Sequence, residues 1–125
     1  MSINGDVKIA SGKKFRLFTY GVNTFNGAID GSAMDGNAYF GFNWSNGGTV
    51  ELASPRSVWK SGVRNRSNVL SCLADNVVSN AVLHWDYPTT GRNPDGEYLS
   101  SIKLNGHSQR IQVGCLLLAP PGKPT

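Results

Sequence analysis

Apolar and polar residues alternate most regularly between residues 97 and 119. One face of the first half carries Tyr98, Ser100, Ile102 and Leu104, and one face of the second half carries Ile111, Val113, Cys115 and Leu117. A period of two is that of a β-strand. Asn105-Gly106 separates the two halves, and these residues tolerate a positive φ at both central positions of a tight turn. The sequence therefore predicts a β-hairpin from Glu97 to Ala119.

The same period recurs in short segments along the rest of the chain. They lie at residues 7–10, 14–22, 38–45, 49–53, 69–74 and 81–87, and the stretch 23–37 between them, rich in Asp-Gly and Asn-Gly, is predicted to be irregular. With the hairpin strands this makes eight candidate strands. We expect an all-β fold, an antiparallel β-sandwich or a jelly-roll-like barrel. One short helix near 67–80 stays an alternative, because Val69, Leu73 and Val77 keep a helical spacing.

The composition supports many turns in one domain. Gly, Asn and Ser together supply 40 of the 125 residues, and charged residues are 16%. These three residue types favour turns over helices. We expect a single β-sandwich domain over residues 1–119 and a Pro-rich tail over 120–125.

The ends and the cysteines suggest a compartment. Residues 1–6 show no basic region followed by an apolar run, so we expect no signal peptide and synthesis in a cytoplasm. Cys72 and Cys115 are then expected to be reduced thiols. No apolar segment approaches the roughly 20 residues that span a membrane, so no membrane partner is expected.

The sequence offers little for catalysis. His84 and His107 are its only two histidines, and the eight acidic residues are scattered without forming an acid–base pair. The segment from Asp30 to Asn37 resembles a calcium loop, but no glutamate follows twelve positions after Asp30. We expect no enzymatic activity, no metal and no cofactor.

A basic segment is the most polarised part of the chain. Between residues 54 and 67 there is no acid, and the segment contains Arg56, Trp59, Lys60, Arg64 and Arg66. Cations of this kind neutralise phosphates, and an indole can stack on an unpaired base. The segment is therefore a candidate contact with nucleic acid. The alternative is that these cations pair with acids of other strands or of a neighbouring subunit, with Trp59 packed in an interface.

A second candidate site is the loop that follows residue 84. It combines aromatic rings with polar side chains that hydrogen-bond to hydroxyl groups, namely Trp85, Asp86, Tyr87, Arg92, Asn93 and Asp95. This combination is typical of carbohydrate recognition. The alternative is an ordinary hairpin loop.

The leading hypothesis for function is a non-enzymatic virion protein. A short chain of Gly/Asn/Ser-rich strands, with apolar residues on more than one strand face, suits a small coat, decoration or fibre-tip protein that assembles symmetrically. It would be made in the host cytoplasm and reside in the virion. A carbohydrate-binding module or lectin is the alternative, a nucleic-acid-binding coat protein is a third hypothesis, and a cytoplasmic soluble protein is the alternative location.

Overall fold

The computed structural model describes residues 1–18, 21–36, 38–41, 48–60, 62–66, 69–78, 81, 83–86, 101–111 and 116–117. Within these residues the chain forms thirteen short strands and no helix. In chain order the strands are β1 Ser2–Ile3, β2 Val7–Lys8, β3 Arg16–Phe18, β4 Val22–Phe25, β5 Ile29–Gly31, β6 Ala38–Gly41, β7 Thr49–Leu52, β8 Val58–Trp59, β9 Val63–Arg66, β10 Val69–Cys72, β11 Leu83–Asp86, β12 Ser101–Lys103 and β13 Leu116–Leu117.

Every described pair of neighbouring strands is parallel. The strands form three sheets: sheet A in the order β1-β4-β7-β10-β12, sheet B in the order β2-β5-β8, and sheet C in the order β3-β6-β9-β11-β13. For three circuits the chain visits sheets A, B and C in turn, and each circuit stacks on the one before. β1 to β3 form the first coil, β4 to β6 the second and β7 to β9 the third. β10 and β11 belong to the fourth coil and β12 and β13 to the fifth, and in the described residues neither of these has a strand in sheet B. The architecture is a parallel β-solenoid.

The coils keep a strict register although their lengths differ. Residues 2, 24, 51, 71 and 103 occupy the same position of sheet A on successive coils. The ladder also continues past the strand ends, where the N–H of Leu73 donates to the carbonyl of Leu52 at 2.9 Å. Because the intervals are unequal, the sequence shows no repeat of fixed period.

The core lies inside the coils, and in β4, β5 and β7 buried residues alternate with less buried ones. In sheet A, Val50 and Leu70 stack in register, and so do Phe25 and Leu52. The rings of Phe15 and Phe25 meet edge to face, with centroids 6.1 Å apart. Other buried members of the core are Ile9, Ile29, Met34, Ala38, Trp59, Val63, Cys72, Val77, Val78 and Ala81. Burial of these stacked apolar side chains between successive coils is the main favourable contribution to the free energy of folding.

The predicted antiparallel β-sandwich or jelly-roll-like barrel is wrong. Each of the eight predicted segments contains a strand, but the described residues form thirteen strands, and all of their pairings are parallel. Alternation of apolar and polar residues indicates a strand with one buried face and one face exposed to solvent. The strands of a solenoid and those of an antiparallel sheet both have such faces. The pattern therefore identifies strands without identifying their partners.

The predicted hairpin from Glu97 to Ala119 is wrong, although its turn is present. Asn105 and Gly106 have φ values of 52° and 79°, and the N–H of His107 donates to the carbonyl of Leu104 at 2.9 Å. However, β12 pairs in parallel with β10, and β13 pairs in parallel with β11. The Asn-Gly turn thus forms a corner of the coil and does not bring the following segment back to pair with β12.

One further expectation and one alternative for local structure are wrong. The stretch 23–37, predicted to be irregular, contains most of β4 and all of β5. The alternative of a short helix near 67–80 is wrong, and the favoured strand over residues 69–74 is confirmed by β10, which a turn over residues 75–78 follows. β10 is buried on both faces, so its apolar residues do not alternate with polar ones. The spacing of apolar residues in this region was therefore also compatible with a helix.

Candidate functional site

The predicted basic segment is distributed over two faces of the solenoid. Arg56 lies at the corner that leads into β8 of sheet B, whereas Arg64 and Arg66 belong to β9 of sheet C. Lys60 follows β8 and is exposed, and the side chain of Arg66 is outside the described residues. These cations therefore do not form one continuous surface.

Trp59 belongs to the core. Only 5% of it is exposed, and its Nε1–H donates to the carbonyl of Val77 at 3.0 Å. This bond connects β8 of the third coil with the turn of the fourth coil. In this position the indole has no free face for a nucleic-acid base.

Arg64 stands in a row across sheet C. Its register partners on successive strands are Tyr39 on β6 and His84 on β11, and Tyr39 in turn pairs with Arg16 on β3. Arg16 and Arg64 are both exposed. They lie two strands apart, which is about 9.6 Å between backbones. This row brings a cation from outside the basic segment into line with Arg64.

Only two residues of the predicted sugar-binding loop belong to the described part of the chain. Trp85 and Asp86 lie in β11, where their backbones pair with Asn65 and Arg66 of β9. Their side chains are outside the described residues, as are Tyr87, Arg92, Asn93 and Asp95 entirely. The hypothesis of a sugar site in this loop stays a prediction.

A different concave surface lies on the outer face of sheet B. It is an open groove of about 480 Å³ that crosses the first three coils. It is lined by Asp6, Val7, Lys8, Ala28, Asp30, Ser32, Arg56 and Val58. Its volume falls in the range of about 300–1,000 Å³ that is usual for small-molecule sites. We call it the sheet B groove.

One end of the sheet B groove is built around Asp6. Its Oδ1 accepts hydrogen bonds from the N–H of Ala28 at 2.9 Å and from Nη2 of Arg56 at 3.1 Å, and its Oδ2 lies 3.4 Å from Nη1 of Arg56. The Ala28 N–H and then the Arg56 guanidinium hold the pKa of Asp6 below its ordinary value. Gly27 permits this arrangement, because a Cβ there would collide with the carbonyl of Gly5 and lie 2.8 Å from Asp6 Oδ1. Asp6, Ala28 and Arg56 thus join three coils at this corner. For Arg56, the ion pair agrees with the alternative interpretation of the basic segment, in which its cations pair with acids of other strands.

The other end of the groove is organised by Asp30. Its Oδ1 accepts hydrogen bonds from the hydroxyl of Ser32 at 2.6 Å and from the Ser32 N–H at 3.0 Å, and these bonds hold the pKa of Asp30 below its ordinary value. Lys8 and Val58 are the register neighbours of Asp30 on the adjacent strands. The floor of the groove is therefore a row of cation, carboxylate and apolar side chain, one from each coil.

Sequence reasoning missed the sheet B groove, because its residues are far apart in the chain. They nevertheless share a local pattern in two of the coils, where exposed residues lie two positions apart: Asp6 and Lys8 in the first coil, and Arg56 and Val58 in the third. In the second coil Ala28 is buried, and Asp30 is half-buried between the buried residues Ile29 and Gly31. The pattern becomes informative only once the register of the coils is known.

The remaining titratable groups outside the groove form no larger cluster in the described ranges. Asp75 Oδ1 lies 3.2 Å from Nδ1 of His107 and accepts a hydrogen bond from the N–H of Ser108. Cys72 is a free thiol in the core, and burial raises its pKa to about 11, which makes it unreactive. No group of three or more His, Cys, Asp or Glu side chains placed to hold a metal ion occurs in the part of the chain that is described.

Comparison with known proteins gives no match: no family model, no curated protein and no solved structure is similar to this chain. A search of the described residues also finds no helix that is long and apolar enough to cross a membrane.

Proposed function

We propose that this chain is a non-enzymatic structural component of a symmetric assembly, of the coat, decoration or fibre-tip type that builds virus particles. It would be made in the host cytoplasm and act in the virion. The observation that carries the proposal is the end of the solenoid formed by the first coil.

The first coil places three strand edges at one end of the described solenoid. β1, β2 and β3 each stand at the end of their sheet, and among the described residues each pairs only with the following coil. A strand edge offers a row of N–H and C=O groups for pairing with another chain. Three such edges in one plane can extend the ladder of all three sheets at once.

The apolar side chains of the same coil are incompletely covered. Ile3, Val7, Phe15 and Leu17 pack on the buried core, but all four are only half-buried. Terminal repeats of a solenoid need a cover for their apolar residues. A second copy of the chain would bury these side chains and pair the three edges in one interface.

A proline at the open edge of β1 tests this interface. The carbonyls of Met1 and Ile3 accept hydrogen bonds from the N–H groups of Thr24 and Asn26 on the β4 side. Because bonding directions alternate along a strand, the N–H of Ser2 points to the open edge. Ser2→Pro therefore removes an edge donor without removing a bond to β4.

The mass in solution is the measurement, by light scattering across a range of protein concentrations. We expect the unmodified chain and the matched control Ser2→Ala to form an oligomer of defined mass, and Ser2→Pro to shift it toward the monomer. A chain that stays monomeric at the highest concentration reached would refute the proposal. An oligomer that is equally stable with Ser2→Pro would show that the first coil is not its interface.

A further inference from the structure

The sheet B groove is balanced in charge. It contains two carboxylates, Asp6 and Asp30, and two cations, Lys8 and Arg56. Arg56 is paired with Asp6, and Lys8 neighbours Asp30 in the register of β2 and β5. An anionic polymer such as nucleic acid is attracted by an excess of cations, which the groove lacks. An uncharged ligand with many polar groups fits this balance better.

The groove offers fixed hydrogen-bonding groups of both kinds. A guanidinium carries five N–H donors, and the ion pair with Asp6 leaves most of those on Arg56 available. Ser32 bonds to Oδ1 of Asp30, and among the described residues nothing bonds to Asp30 Oδ2. A hydroxyl group donates and accepts at once, so it can bridge a carboxylate and a cation that lie side by side.

The groove also has an apolar portion and a length that restrict the ligand. The side chain of Val58 is 46% exposed beside Asp30, and Val7 and Ala28 line the groove near it. Across its floor, from Lys8 on β2 to Val58 on β8, the groove spans two interstrand spacings, or about 9.6 Å between backbones. This length and the volume of about 480 Å³ suit two sugar rings, whose C–H faces can pack on the valine while their hydroxyls reach the charged groups.

We propose that the sheet B groove is a binding site for a neutral oligosaccharide. The carboxylates of Asp6 and Asp30 accept hydrogen bonds from sugar hydroxyls, Lys8 and Arg56 donate to sugar oxygens, and Val58 contacts a ring face. The bonds from Ala28 and Ser32 hold the two carboxylates in place before the ligand binds, which reduces the entropy lost on binding. The site extends over three coils on a side face, whereas the proposed interface is the end of the first coil, and Val7 borders both.

A glycan array of neutral and acidic oligosaccharides, followed by calorimetric titration of the best neutral probe, tests the proposal. The decisive variant is Lys8→Ala combined with Asp30→Asn. It removes one positive and one negative charge, so the net charge of the protein is unchanged, and an asparagine Oδ1 can still accept the two bonds from Ser32.

The matched control is Lys13→Ala combined with Asp35→Asn. Both side chains are exposed, both lie outside the groove, and the net charge is again unchanged. We expect the groove variant to raise Kd by about tenfold or more, which corresponds to about 1.4 kcal/mol, and the control to leave Kd unchanged. The proposal would be overturned if no neutral glycan bound on the array, or if only acidic glycans bound. It would also be overturned if a neutral glycan bound the groove variant and the control variant with the same Kd as the unmodified chain.

Discussion

The turn at Asn105-Gly106 permits a clean measurement of backbone strain. Gly106 has φ 79°, and an added Cβ would find no atom within 4 Å. Gly106→Ala therefore introduces no collision and leaves only the cost of a left-handed L-residue. That cost is roughly 1–2 kcal/mol, and the lower entropy of the unfolded alanine chain offsets about 0.4–1 kcal/mol of it. We expect a net destabilisation of about 1 kcal/mol.

Gly5 provides the matched control. A Cβ on Gly5 also finds no atom within 4 Å, but its φ lies outside the left-handed region. Gly5→Ala should therefore stabilise the protein by about 0.4–1 kcal/mol, since only the effect on the unfolded chain remains. Because both alanines meet open space, the difference between the variants isolates the torsional cost.

Urea unfolding followed by circular dichroism measures the difference. With a slope of about 1–3 kcal/mol per molar urea, the midpoints of the two variants should differ by roughly 0.3–2 M, Gly106→Ala having the lower one. Gly106→Val should lower the midpoint further, because a β-branched residue resists positive φ more strongly. Equal midpoints for Gly5→Ala and Gly106→Ala would refute the reasoning, because the turn would then not require a left-handed residue.

Two further predictions concern other surfaces. If Arg16 and Arg64, the two exposed arginines of the sheet C row, bind nucleic acid, replacing both with alanine should flatten the slope of log K against log salt by about two contacts of 0.7–0.9 each. A filter-binding titration at two salt concentrations measures the slope, and an unchanged slope contradicts the prediction. The N–H of Ser108 and the His107 ring hold the pKa of Asp75 below its ordinary value. The ionised carboxylate therefore stabilises the fold at pH values above its unfolded pKa near 3.8, and this contribution disappears as the pH falls through the lower pKa of the folded state. In thermal melts, Asp75→Ala should therefore have a lower Tm than the unmodified chain at neutral pH, and the two Tm values should approach each other below pH 4. A difference in Tm that is independent of pH would exclude the contacts of the Asp75 carboxylate with Ser108 and His107 as the cause.

The sequence predicts local features of this fold because they depend on local chemistry. The alternation in residues 49–53 identifies β7, and the Asn-Gly pair identifies the turn that follows β12. Each depends on a few neighbouring residues and on torsion angles that those residues prefer. The choice between a hairpin and a solenoid corner depends on which distant strand is available for pairing, and no short window contains that information.

The candidate site was unpredictable for the same reason. Asp6, Asp30 and Arg56 belong to three different coils and become neighbours only through stacking. Trp59 shows the converse error, since a tryptophan between basic residues suggested a surface site and lies in the core. Charge counted along the chain does not distinguish outward from inward positions when strands of two to four residues alternate with corners.

Stacking of coils also determines how this molecule should open. In a solenoid each coil contacts mainly the coils next to it, the Asp6–Arg56 pair being an exception here, so stability is approximately a sum of terms between neighbours. Interior coils are held from two sides, whereas within the described residues the first coil pairs only with the second, and β12 and β13 at the other end pair only with the coil before them. Amide hydrogen exchange should then be graded along the solenoid axis, with the backbone of β7 protected longest and those of β1 and β12 opening first. A partner that covers the first coil would remove the opening step at that end and slow the opening of the coils behind it.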